Sequence, residues 1–181
     1  MQPLRGRTNL SYTLLMTELI LIAHNIRSTH NIGSIFRTAD GFGVTQLHLT
    51  GYSPYPTLPH DARLPHLRDK ITKQISKTAL GAESMVTFDY QEDPIALLQQ
   101  YKQQGYTIAA LEQTPQSIML PDYHPPKKLV LLLGEEVQGI TSELLGLCDV
   151  ALEIPMRGHK ESFNVSVATG ISLYALNYNA K

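Results

Sequence analysis

Polar side chains that suit binding or catalysis gather in three stretches of this 181-residue chain, each time among small or apolar neighbours. The first, Asn25–Val44, reads NIRSTHNIGSIFRTADGFGV. Asn31 stands where a loop gives way to helical spacing, a position from which an amide side chain caps a helix. Arg37 follows one to two turns later, among Ile35, Phe36 and Ala39. A guanidinium is charged at every relevant pH. Beside a buried stripe it needs anionic or carbonyl partners, unless its stem lies along the apolar surface and its head reaches water.

The second stretch, Leu129–Ile140, is LVLLLGEEVQGI: a run apolar enough to be buried on both faces, then Gly134, then Glu135 and Glu136. In open parallel sheets ligands sit outside the carboxyl ends of strands, and a glycine there lets backbone approach them. A plain strand-to-helix turn accounts for Gly134 equally well, but not for two adjacent carboxylates. The third stretch, Ile154–Leu173, is IPMRGHKESFNVSVATGISL. A strand ends at Ile154-Pro155, a loop carries Gly158, and Ser162 and Asn164 stand at the entry to a last helix running to about Asn177. So many small residues weaken an isolated helix, a glycine inside it costing roughly 1 kcal/mol. They permit close packing against another backbone.

Elements of alternating type must position these residues. Short apolar runs at Leu19–Ala23, Gln46–Thr50, Met85–Tyr90, Thr107–Leu111, Leu129–Leu133 and Val150–Ile154 alternate with helical patterns. That order predicts an α/β fold, a mostly parallel sheet flanked by helices. Ile32, Ile35, Phe36 and Ala39 recur at helical spacing until Gly41 and Gly43. Asp93-Pro94 places a cap and a first-turn proline ahead of IALLQQYKQQ, which Gly105 closes. Thr141 or Ser142 caps a short helix through Leu147. Gly51–Arg68 and Glu112–Lys128 are proline-rich and read as long irregular stretches. We expect residues 1–17 to be an N-terminal extension and 18–181 a single domain.

Composition narrows the classes. With 43% hydrophobic and 17% charged residues, the chain has the make-up of an ordinary globular protein. One cysteine, Cys148, allows no intrachain disulfide. No HExxH or CxxC spacing occurs, so no metal site is expected, and His60 and His66 read as a solvent-facing pair. No apolar run approaches the roughly 20 residues of a membrane span, and no cleavage site follows the N-terminus, which points to the cytoplasm. A net charge of −1 argues mildly against nucleic acid as a partner. Charge is segregated, however: Arg63–Lys77 carries Arg63, Arg68, Lys70, Lys73 and Lys77 against only Asp69, either a local phosphate-binding surface or a solvated helix face. There is no GxGxxG, no GK[ST] and no GxSxG, so dinucleotide, P-loop and nucleophile-elbow chemistry lack support.

The three stretches, in this order, resemble the SpoU (TrmH-type) branch of the SPOUT methyltransferases, over about Glu18 to Asn177. The resemblance implies a C-terminal deep trefoil knot, a topology that general chain-threading rules would not propose. It implies S-adenosylmethionine as cofactor and no metal. The cofactor is expected against Leu111, Glu112 and Gln113, the turn at Gly134, and the loop bearing Ile154, Met156 and Phe163, with the last three bordering adenine. It implies methyl transfer to a ribose 2'-hydroxyl of tRNA or ribosomal RNA. Arg37 matches the arginine at the reacting hydroxyl. A free arginine is too basic for a general base, so its expected role is to stabilise the developing alkoxide and contact a phosphate. Asn31 and Glu135 are expected to orient Arg37 and the ribose, and Ser162 and Asn164 to shape the site. Arg63, Arg68, Lys70, Lys73 and Lys77, with Lys127 and Lys128, are the expected RNA contacts. A homodimer is implied, with Arg37 acting within one subunit or across two. The alternatives are a non-catalytic dimer that binds RNA and a methyltransferase for a base nitrogen.

Overall fold

A computed structural model describes residues 17–135 and 137–178. Residues 1–16 of the expected extension, and Glu136 of the expected carboxylate pair, lie outside the described residues. Strand β1 (Glu18–His24) leads to α1 (Thr29–Gly41), β2 (Gln46–Thr50) and α2 (Pro65–Ala79). Next come β3 (Phe88–Gln91), α3 (Pro94–Gln103), β4 (Thr107–Leu111) and the two-residue β5 (Ile118–Met119). The described residues end with β6 (Lys128–Leu133), α4 (Ser142–Leu145), β7 (Val150–Glu153) and α5 (Val165–Tyr178).

The seven strands form one sheet in the order β3-β2-β1-β6-β4-β7-β5, and every pairing is parallel. The central strands β1 and β6 are apolar almost throughout because both of their faces are covered. On one face Leu21, Ala23, Leu131 and Leu133 pack with Ile32, Ile35 and Phe36 of α1 and with Leu173 and Leu176 of α5. On the other, Ile20, Ile22, Val130 and Leu132 pack with Leu97, Leu98 and Tyr101 of α3. Both clusters avoid water by the same means, but only the first brings α1 and α5 together.

Helix ends follow their side chains. Asp93 accepts from the Ile95 amide, with Pro94 in the first turn, as expected. Thr141 accepts from the Leu144 amide and caps α4, which ends at Leu145 rather than Leu147. Ser28, not Asn31, caps α1, its hydroxyl accepting from the Asn31 amide at 3.2 Å. A hydroxyl three residues before that amide has the short reach the cap requires, and Asn31 is already inside the helix.

The largest boundary shifts have local causes. The third strand starts at Phe88 rather than Met85, because the 3-10 turn Ala82–Ser84 uses up the preceding residues and leaves Met85 at the surface. The first irregular stretch ends at Leu64, since Pro65 sits in the first turn of α2, where a missing N–H costs nothing. The second contains β5 and the 3-10 turn Leu120–Asp122, both too short to carry a periodicity. Among the described residues no helix is long and apolar enough to cross a membrane, and no group of histidines, cysteines and carboxylates is placed to hold a metal.

Candidate functional site

At the carboxyl ends of β4, β6 and β7 the chain surrounds a cavity of about 540 Å³. Three segments line it: Leu111 at the end of β4 with Glu112 and Gln113, residues 134, 135 and 137–139 after β6, and part of the stretch 154–164 between β7 and α5. All seven expected cofactor positions, Leu111, Glu112, Gln113, Gly134, Ile154, Met156 and Phe163, face this one space, with Glu135, Ser162 and Asn164. They come from three distant parts of the sequence because parallel strands all finish at one edge.

The loops hold each other. The Glu112 carboxylate accepts from the Ile140 amide at 2.8 Å and from the Gln113 amide at 3.0 Å. Gln113 in turn donates its side-chain amide to the Glu161 carbonyl at 2.9 Å, tying the first loop to the third. The Gly139 amide donates to the Glu135 carbonyl at 3.0 Å and closes the middle turn. Gly134 is required by close approach: a Cβ there would lie 2.5 Å from the Ile140 side chain and 2.7 Å from the Gly139 backbone. Glu112 therefore holds the turn in place, a task that the sequence did not disclose.

Asn31 lies outside the cavity lining but beside it. Its Oδ1 accepts from Asn164 Nδ2 at 3.2 Å, across 133 residues. Asn164 is itself the cap of α5, its Oδ1 accepting from the Ser166 amide at 2.9 Å and the Ser166 hydroxyl at 2.7 Å. One amide pair thus joins the start of α1 to the start of α5. Gly170 meets only Thr38, at an ordinary 3.8 Å for an added Cβ. The close backbone approach expected of the small residues is not made at Gly170 among the described residues.

Arg37 departs from the buried setting. It is exposed on α1, does not line the cavity, and has no hydrogen-bond or ion-pair partner among the described residues. The long stem carries the charge past the Ile35–Phe36 stripe into water. Glu135 is covered instead, with 9% of its side chain exposed, and pairs with Arg27, whose side chain is 64% exposed. Arg27 also lies 5.8 Å from the centre of the Tyr52 ring. Neither Arg27 nor Tyr52 stood out in the sequence: both sit in loops without periodicity, and Arg27 meets its carboxylate across 108 residues. Nearby, His24 accepts or donates a hydrogen bond with Thr50 at 2.9 Å. Burial lowers its pKa from the usual histidine value, against the opposing pull of Glu135.

The basic segment divides. Lys70, Lys73 and Lys77, at helical spacing, form an exposed stripe on α2 together with His66. Arg68 is partly covered and lies 3.6 Å from Asp69. Arg63 differs from the expected solvent-facing cation. It donates to both Asp61 oxygens and to the Tyr55 and Pro56 carbonyls, and stacks 3.6 Å from the Tyr55 ring centre. Tyr55 stacks in turn on Tyr90, so this guanidinium holds the loop before α2 in shape. The Arg63 side chain bonded to Asp61 keeps that carboxyl well below the usual range.

An α/β protein with a cavity of nucleoside size at the carboxyl ends of its parallel strands is the class defined by this geometry. The sequence model of the SpoU rRNA Methylase family matches residues 18–174, and the protein belongs to that family. It is 32% identical over 157 residues to the tRNA (guanosine(18)-2'-O)-methyltransferase of Aquifex aeolicus, covering 87% of this chain and 67% of that protein. It is 29% identical to the 23S rRNA (guanosine-2'-O-)-methyltransferase RlmB of Pseudomonas putida, covering 86% of this chain and 57% of that protein. The crystal structure of the A. aeolicus TrmH/SpoU tRNA modifying enzyme superposes with a TM-score of 0.74 at 28% identity, over 93% of this chain and 79% of that one.

Proposed function

We propose that this protein transfers a methyl group from S-adenosylmethionine to a ribose 2'-hydroxyl of tRNA or ribosomal RNA. The observation that carries the reading is the Asn31–Asn164 bond beside the three-loop cavity, which joins two polar positions of the family pattern at the mouth of the cofactor space. Relatives named for ribose methylation of tRNA and of 23S rRNA support both substrate classes.

The residues present fit the cofactor. The cavity has the volume of a small-ligand site. Leu111, Ile154, Met156 and Phe163 give an apolar slot for adenine, while the backbone at Gln113 and Gly134 and the side chains of Glu112 and Gln113 surround it with polar groups. Bound there, S-adenosylmethionine supplies a methyl group on a sulfonium, already activated for attack by an oxygen. The chain has to hold the ribose hydroxyl in line and ease loss of its proton to water or to a phosphate oxygen of the RNA. Arg37 serves as the cation that stabilises the developing alkoxide and grips an adjacent phosphate. Asn31 and Glu135 orient that arginine and the ribose, and Ser162 and Asn164 shape the entrance.

Arg37 acts on the cavity of a second copy in a homodimer. Its exposure and its place outside the lining of its own cavity support this arrangement. So do Val167, Tyr174 and Tyr178, large side chains of α5 exposed at helical spacing among the described residues. Arg68, Lys70, Lys73 and Lys77 carry the RNA backbone. Arg63 drops out of that set because its guanidinium is committed to Asp61 and the loop carbonyls. The segment 154–164, which passes the Glu112–Gln113 loop before α5 returns to α1, threads the deep trefoil knot of the family. Residues 18–181 form one domain, and the enzyme works in the cytoplasm.

The test is nucleoside mass spectrometry on bulk tRNA and rRNA from a host lacking the protein, incubated with purified enzyme and labelled S-adenosylmethionine. A new 2'-O-methyl nucleoside is expected. Label on a base nitrogen, or none at all, overturns the reading.

A further inference from the structure

Tyr52 is a large aromatic side chain left 50% exposed on a turn that the rest of the molecule takes trouble to fix. Asn25, in the left-handed region at φ 57°, turns its side chain so that Oδ1 accepts from the Tyr52 amide at 3.1 Å. Such a φ is uncommon for a residue with a Cβ and persists only where surrounding contacts over-determine it. Gly51 has φ 62°, and any Cβ there would lie 2.0 Å from the same Asn25 oxygen. Its carbonyl accepts from the Tyr90 hydroxyl at 2.8 Å, and the following Ser53 hydroxyl donates to the Ala23 carbonyl at 2.8 Å. Three hydrogen bonds hold the turn while half of the Tyr52 surface stays open to water. Through Arg27 the ring connects to Glu135, which lines the cavity, so that a covered carboxylate, a guanidinium and an aromatic face follow one another outward from the cavity wall.

A rigid exposed ring beside an arginine suits an unstacked nucleobase, which presents a π-face and an adjacent phosphate. We propose that Tyr52 is the stacking platform for a base of the RNA whose ribose enters the cavity, with Arg27 as the neighbouring phosphate contact; this rests on the ribose-methylation reading above. Tyr52 is a substrate-positioning residue and takes no part in proton or methyl transfer. Because every base offers a π-face, the platform fixes where the strand lies and leaves base identity to other contacts.

The experiment measures filter binding of end-labelled bulk tRNA and rRNA fragments across a salt series, alongside steady-state transfer and melting temperature. Tyr52→Leu is expected to raise Kd and KM for RNA roughly ten-fold, the size of one base–aromatic stack. It should leave cofactor affinity, kcat and melting temperature near wild type. Tyr52→Phe keeps the ring and restores wild-type RNA affinity. Stacking is insensitive to salt, so Tyr52→Leu leaves the slope of log Kd against log salt unchanged, while Arg27→Gln lowers it by about 0.7 for one phosphate on a single strand. Wild-type RNA affinity in Tyr52→Leu overturns the platform, as does equal loss in Tyr52→Phe and Tyr52→Leu. If RNA affinity depends on the ring but no 2'-O-methyl nucleoside forms, the catalytic reading falls and the platform stands. If the wild type binds no RNA, both fall.

Discussion

The cleft shared by Asp89, His48 and Tyr101 and the cavity below α5 both gather polar side chains, but they leave them in different states. In the cleft His48 is buried, with one ring nitrogen 2.6 Å from Asp89 and the other 2.7 Å from the Tyr101 hydroxyl. An acid, a histidine and a hydroxyl in a row have the outline of a relay. Yet both nitrogens are satisfied from within, and the three groups join β2, β3 and α3. Such a network makes the packing specific and leaves no ring nitrogen for a ligand. Around the cavity Asn31, Asn164 and Arg27 are bonded too, but they stay partly open to solvent, and Arg37 reaches away from the fold. Polar groups held in place yet partly open to solvent set the cavity apart from the complete hydrogen-bonded row buried in the cleft.

Substitutions on the two sides should therefore separate activity from stability. The largest effect is expected for Arg37→Ala, which should lower kcat by about 100- to 1000-fold, the range for losing one charge-stabilising group. Cofactor affinity measured by calorimetry should change little, because Arg37 does not line the cavity; equal loss of both would remove the role given to this arginine. Gly134→Ala comes next. Its methyl group meets Gly139 backbone that cannot yield cheaply, so overpacking of about 1–3 kcal/mol should appear as a lower melting temperature together with weaker cofactor binding.

On the other side, Tyr101→Phe removes the hydroxyl from His48 and leaves a buried ring nitrogen unpaired. That should cost about 1–3 kcal/mol in denaturant unfolding while transfer rates stay within about two-fold. A large loss of kcat in this variant would break the contrast between the two assemblies. The smallest effect concerns the loop before α2. Arg63 depresses the Asp61 pKa, so the carboxylate's contribution is complete above the ordinary carboxyl range, near 3.9, and is lost only as pH falls through the depressed folded-state value. The difference in melting temperature between wild type and Asp61→Asn should accordingly be constant from pH 7 to about 5 and shrink in stronger acid.

Much of the frame was legible in the residues. Strands Gln46–Thr50 and Thr107–Leu111 lie within their expected bounds, and the Asp93-Pro94 start and Gly105 end of α3 follow from local rules about caps and left-handed glycine. The sequence was misleading wherever two local solutions competed. Ser28 and Asn31 both suit a cap, and only the backbone path selected the serine. The basic residues from Arg63 to Lys77 look alike in one dimension, yet Arg63 is held in a loop while Lys70, Lys73 and Lys77 project from a helix.

Ordered apolar runs were enough to determine a parallel α/β chain, and the resemblance to the SpoU branch named ten residues that line one cavity. Local chemistry repeats along a sequence, so it can be read there. Which side chains meet could be decided only in the fold, because parallel strands bring their carboxyl ends together from points far apart in the chain. That convergence sets Glu112 against the 134–140 turn, Asn31 against Asn164, and Arg27 between Glu135 and Tyr52. Arg37, in contrast, projects outward from α1 among the described residues.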